Sequence, residues 1–246
     1  MSLQGIASAN SQPNLAGAFS TFYHDLGTPG DDIQTTIGTN TKEFFLQEGL
    51  GGNDTQYASG SGGYDWVVQQ GGTGVDSMQG LGGTGDDIIL QEGGFGNDTL
   101  YSSVGSGGDW INQEGGTGND DVSAIDGLGQ DHILQRGGEG DDSIDGDGSS
   151  GGGNSIIIDA GDGNDTITCG VGVGEDVVFI EGGGGSDDLT VTNSYNQNYT
   201  VVNPAGTVLY QSGTGGMLII VKDIERFPNL PIRKTGPGIL YLLLGN

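Results

Sequence analysis

The sequence predicts an all-β chain wound as a parallel β-roll or β-solenoid, with two sheets, about twenty-two residues per coil and a C-terminal β cap. Three periodic features predict it. An acidic side chain recurs every eleven residues: Asp32, Glu43, Asp54, Asp65, Asp76, Asp87, Asp98, Asp109, Asp120, Asp131 and Asp142. After one extra residue within 149–153 the series resumes at Asn154, Asp165, Asp176 and Asp187. With this residue set as position six of a unit, position four is glycine in every unit but one, where Thr41 stands. Position eight is apolar except in the first and third units, which carry Gln34 and Gln56. A period sustained over fifteen units marks a repeat architecture that buries its core by stacking units.

Each unit divides into a turn and a strand. The turn segments read GGTGDD (82–87), GGFGND (93–98), GGTGND (115–120) and GGEGDD (137–142). Glycine at fixed places implies backbone with positive φ or a close approach to a neighbour. The residues after the acid alternate between faces, as strand residues do. Positions eight and ten therefore point inward, and positions seven and nine outward.

Position ten carries a second period. Gln47, Gln69, Gln91, Gln113 and Gln135 recur in every second unit, with Ala58, Gly80, Ser102, Ala124 and Gly146 between them. One coil is therefore two units, one strand in each of two sheets. Each Gln reaches toward a small residue opposite, and stacked amides can hydrogen-bond from coil to coil at about 4.8 Å. The alternative is an exposed Gln and a period left over from duplication. Beyond the insertion position ten turns apolar, at Ile158, Cys169, Ile180 and Val191, which makes Cys169 a buried small hydrophobe.

The outward faces differ. The Gln-bearing sheet shows Phe44, Trp66, Ile88, Trp110 and Leu134 as one outward column, with Leu46, Val68 and Leu90 beside it. The other sheet shows Thr, Ser, Tyr and Asp. An apolar strip of this extent is covered by the chain's own termini or forms an interface. The expectation is a homodimer through these eight residues.

Composition sets the partners. The 246 residues include 53 Gly, and Asp plus Glu outnumber Lys plus Arg by 33 to 6, for a net charge of -27. Such a surface is a poor match for nucleic acid or an anionic membrane and a good one for cations. A lone Cys169 excludes an intramolecular disulfide. The opening residues show no basic and apolar leader, and the apolar run 239–244 is too short to span a bilayer.

Glycine turns bare their carbonyls, and an Asp closing each turn adds charge, so turns stacked on one edge offer oxygen donors to a hard cation. His24, His132 and Cys169 are the only nitrogen or sulfur ligands, which disfavours zinc. The candidate calcium ligands are Asp32, Asp54, Asp65, Asp76, Asp87, Asp98, Asp109, Asp120, Asp131, Asp142, Asp165, Asp176 and Asp187. Sites at Glu43 and Asn154 are expected to be weak or absent.

The turn segments resemble the Gly-Gly-x-Gly-x-Asp-x-apolar-x nonapeptide of the repeats-in-toxin family, also called hemolysin-type calcium-binding repeats. The resemblance covers about two-thirds of the chain and departs from the family in length, eleven residues in place of nine. It implies multiple Ca2+ ions at the turns, a parallel roll, and export from a bacterial cell by type I secretion with an uncleaved C-terminal signal.

The expected organisation is an N-terminal segment over 1–26, the calcium-binding roll over 27–191, and capping strands with a secretion signal over 192–246. A cap is physically expected, since an open last coil invites edge pairing. TVVNPAGTVLYQSG reads as two strands about a Pro-Ala-Gly turn, and GGMLIIVKDIERF as a third. No catalytic constellation stands out: GSSGG (148–152) lies in the insertion and not on a strand-to-helix elbow. The leading reading is a non-enzymatic, calcium-binding extracellular structural or adhesion module. A second is a polysaccharide-binding accessory module of a secreted enzyme, with Trp66 and Trp110 as stacking platforms. A third, weaker one is an ice- or mineral-binding face.

Overall fold

In the computed structural model the described residues are 19–39, 41–148, 151–170, 172–193, 197–203, 207–212, 216–230, 232–234 and 240–242. They form strands and turns with no helix. Two parallel sheets face one another as a solenoid. The long-strand sheet contains Thr21–Leu26, Glu43–Glu48, Trp66–Thr73, Ile88–Phe95, Trp110–Thr117, His132–Glu139, Ser155–Gly163 and Val177–Gly185. The short-strand sheet contains Ile33–Ile37, Thr55–Ser59, Ser77–Leu81, Thr99–Ser103, Asp121–Ile125, Ser143–Asp147, Thr166–Gly170 and Asp188–Thr192. Neighbouring strands pair two units apart, as Ile89 with Ile111 or Val122 with Leu100. Across the insertion the step gains one residue, as Ile133 pairs with Ile156.

The core lies between the sheets, as the alternation requires. Phe45, Met78, Ile89, Leu100, Ile111, Ile133, Ile144, Ile156, Ile167 and Leu189 are fully buried at position eight. Gln34 and Gln56 are buried there too, and each donates its amide to backbone carbonyls of the facing strand, Glu48 and Gln70 respectively. These bonds satisfy Nε2, while Oε1 of both residues is buried without a donor.

The glutamine ladder is internal. Gln69, Gln91, Gln113 and Gln135 each donate Nε2 to the Oε1 of the preceding Gln, at 2.7–3.1 Å. The same Nε2 atoms also donate across the core to carbonyls of the short-strand sheet, as Gln91 to Tyr101 and Gln113 to Ser123. Small residues opposite leave room for this crossing, and Ser102 adds its hydroxyl to Gln91 Oε1. The ladder stops where Gln135 pairs with Ile158, and there Gln135 Oε1 is left without a donor.

The roll outruns the acid series at both ends. Thr21–Leu26 already pairs in register with Glu43–Glu48, so the first solenoid strand precedes residue 27. Strand pairing needs backbone and a buried face, not the acid that marked the repeat. At the other end Met217–Lys222 adds to Val177–Gly185 in parallel, and Tyr199–Val202 and Val208–Gln211 close that sheet as an antiparallel pair. Residues 223–230 cover the last short strand: Leu189 donates its amide to the Arg226 carbonyl, and Val191 to Asn229 Oδ1. The expected capping strands are thus present. The 204–206 turn and the 239–244 run fall largely outside the described residues. Among the described residues no helix is long and apolar enough to cross a membrane.

Candidate metal centre: the aspartate ladder

Position six lies at the corner where turn becomes strand, and its side chain turns inward. Asp54, Asp65, Asp76, Asp87, Asp98, Asp109, Asp120, Asp131, Asp142, Asp165, Asp176 and Asp187 are all buried, and Asp32 in the first coil is half-buried. One carboxylate oxygen of each is committed to the fold. The amide of Asp76 donates to Asp98 Oδ1 at 2.8 Å, and that of Asp98 to Asp120 Oδ1 at 2.8 Å. The same bond recurs from Asp32 to Asp54 and from Asp165 to Asp187. Glu43 and Asn154 occupy their places in the file, since Glu43 donates its amide to Asp65 and Asn154 accepts from Asp131. At the C-terminal end Glu225 takes the next rung by accepting from the Asp187 amide.

The second oxygen is the feature of chemical interest. Oδ2 of Asp54, Asp65, Asp76, Asp98, Asp109, Asp120, Asp142, Asp165, Asp176 and Asp187 is buried with no hydrogen-bond partner. Asp87 and Asp131 differ, because their Oδ2 atoms accept the amides of Gly83 and Gly127. Asp32 Oδ2 accepts from Thr28. Burial pushes the carboxyls of Asp65, Asp98, Asp109 and Asp142 up to about 7, with neighbouring carboxylates adding to the rise and the ladder amides opposing it. Asp165 rises to about 6 for the same reasons.

The geometry leaves one free oxygen on each of these ten carboxylates. No group of three or more His, Cys, Asp or Glu side chains converges among the described residues. A cation here would therefore take its remaining donors from turn carbonyls. Such carbonyls are at hand: the space over Gly93 is bounded by Asp98 Oδ2 and the Gly115 carbonyl oxygen of the next coil. An all-oxygen set of mixed carboxylate and carbonyl suits calcium and not zinc, so the residues fit the ion.

Two features escaped the sequence reading. Position five forms an outer ladder of opposite sense, in which Asn119 donates its amide to Asn97 Oδ1 and Asp141 donates to Asn119 Oδ1. Asn or Asp there in alternate units, at Asp31, Asn53, Asn97, Asn119, Asp141 and Asn164 with a break at Val75, was the available signal. At the insertion, Asp126 stands where turns usually begin with Gly, and its Oδ2 accepts from Asn154 Nδ2 at 2.7 Å. Asn154 therefore breaks the file of carboxylates beside a second buried acid.

The outward apolar residues are divided. Phe44, Leu46 and Val68 are buried within the chain, so they are not free to form the expected interface. Phe19 packs edge-on against Phe44 and Trp66 with ring centroids 5.6 Å apart in both pairs, and Phe22 stacks on Phe44. Trp110 is 49% exposed and lies against His132. Ile88, Leu90 and Leu134 are partly buried. The register also corrects the column: Trp110 pairs with His132, and Leu134 pairs with Asn112 in the neighbouring column.

No family model, curated protein or solved structure matches the chain.

Proposed function

We propose that the chain is a calcium-dependent, extracellular structural or adhesion module whose coils are locked together by ions at the stacked turns. The observation that carries this is the set of ten buried, unpartnered Asp Oδ2 atoms in register. A buried polar atom without a partner costs about 1–3 kcal/mol, and more when charged. Ten at once would match or exceed the whole net stability of an ordinary domain. A hard cation relieves them with oxygen chemistry already present in the turns. The resemblance to repeats-in-toxin turns supports the same ion and supports secretion by a type I route. The reading is non-enzymatic, with surface ligand and any homodimer partner meeting the exposed remainder of the apolar strip.

The polysaccharide-binding alternative is weakened by one contact: Trp66 lies under Phe19, which leaves Trp110 as the exposed platform. Circular dichroism at neutral pH tests the main reading. Excess chelator should give a largely disordered chain, and millimolar calcium should restore the β signal. A chain equally folded in both would refute it.

A further inference from the structure

The acid ladder runs along both edges of the solenoid, but the two edges are built differently. Call the exit edge the one where the chain leaves the long-strand sheet, and the return edge its opposite. At the start of exit turns stand Gly27, Gly49, Gly71, Gly93, Gly115, Gly137 and Gly182, and once Ala160. A Cβ built on Gly93 would stand 2.5 Å from Asp98 Oδ2 and 2.5 Å from the carbonyl oxygen of Gly115. The same pair, own-turn carboxylate and next-coil carbonyl, meets over Gly49, Gly71, Gly115 and Gly137. Two buried acceptors turned toward one space repel unless something positive lies between them. In these turns Asp54, Asp76, Asp98, Asp120 and Asp142 all keep an unpartnered Oδ2.

The return edge lacks this arrangement. Over Gly60 and Gly82 the closest oxygen is the turn's own carboxylate, and no carbonyl of the next coil comes closer than 3.2 Å. Val104 and Asp126 put side chains at the starting position of the next two turns. Asp87 and Asp131 satisfy Oδ2 with their own turn amides. Asp65 keeps a free Oδ2, as do Asp109 and Asp176, but a Cβ built on Gly60 meets nothing closer than 3.2 Å besides Asp65 itself. Backbone shape separates the edges too: the second turn residue has positive φ on the exit edge, as at Gly94 and Gly116, and not at Gly83 or Gly105.

We propose that the chain binds its cations in a single file along the exit edge, in five consecutive cradles over Gly49, Gly71, Gly93, Gly115 and Gly137, while the return edge holds none. The Ala160 methyl interrupts the file, and a further cradle opens over Gly182, where the Asp223 carbonyl faces Asp187 Oδ2. This rests on the calcium reading above and adds location and number to it.

Native mass spectrometry of the full chain in calcium tests it, with wild type beside Asp76→Asn/Asp98→Asn/Asp120→Asn and Asp65→Asn/Asp87→Asn/Asp109→Asn. Asparagine keeps the ladder acceptor and removes the charge. The exit-edge triple should lose ions and need at least about tenfold more calcium to fold, since ligand charge sets calcium affinity. The return-edge triple should keep the wild-type complement; an equal loss from it overturns the single file while leaving calcium binding intact. A wild type that holds no calcium overturns the function itself. Gly93→Ala, which copies natural Ala160, keeps every carboxylate and guards against an exit triple that does not fold. It should bind fewer ions than wild type, and an unchanged count would also overturn the proposal.

Discussion

Leu50 stands in the left-handed region, at φ 76°, in the turn position where later exit turns place Gly72, Gly94, Gly116 and Gly138. A non-glycine residue there is strained by about 1–2 kcal/mol, whereas glycine forfeits about 0.5–1 kcal/mol of chain entropy. Leu50→Gly should therefore raise stability in saturating calcium by about 0.5–1 kcal/mol, read as an upward shift in the thermal midpoint. Leu50 is exposed, so little packing is lost. At the insertion the balance is electrostatic. Asn154→Asp would set a carboxylate 2.7 Å from Asp126 Oδ2, where an amide now donates. The expected loss is about 1–3 kcal/mol by urea unfolding, and an unchanged midpoint would show that Asp126 is held neutral.

At the scale of strands and ladders the sequence was most readable where period and packing coincide. Gln in every second unit pointed to a two-sheet coil, and five amides do run through the core. Gln91→Leu removes the donor to Gln69 Oε1 and the acceptor of Ser102. Urea unfolding should show a loss of about 1–3 kcal/mol, while the surface change Gln79→Leu should stay near zero. The difference between edges was harder to read. The rung between successive Asp residues is the same bond on both edges, so the eleven-residue register hides one of twice that length. The first two turn positions separate them, through Gly against Val104 or Asp126, and so, for the most part, does the Asn or Asp at position five. The ends were least readable. Thr21–Leu26 carries no repeat acid, and Met217–Lys222 joins the sheet only after the chain has left the repeat and made an antiparallel pair. Glu225 prolongs the ladder from outside any repeat.

For the whole molecule, a net charge of -27 is carried largely by a stack of coils, and among the described residues no ion pair reaches the buried position-six acids. Protons and calcium then compete for the same oxygens. The carboxyls of Asp65, Asp98, Asp109 and Asp142 are raised in the folded chain to about 7, chiefly by burial. Raised groups stabilise the fold below their unfolded pKa, near 4, and that stability fades as pH climbs through about 7. Calcium-free protein should consequently be more stable at pH 5 than at pH 8. In saturating calcium the dependence should flatten or reverse, because the ion requires the ionised form. Thermal unfolding across pH in chelator and in calcium checks both halves.

The most direct measurement is unfolding free energy at pH 8 as a function of free calcium. Any ion bound only by the folded chain stabilises it by mass action, so the slope against the logarithm of calcium counts ions released on unfolding. If each exit-edge cradle holds one ion, the slope should correspond to about five or more. A slope of zero, with a chain fully folded in chelator at that pH, would contradict the account.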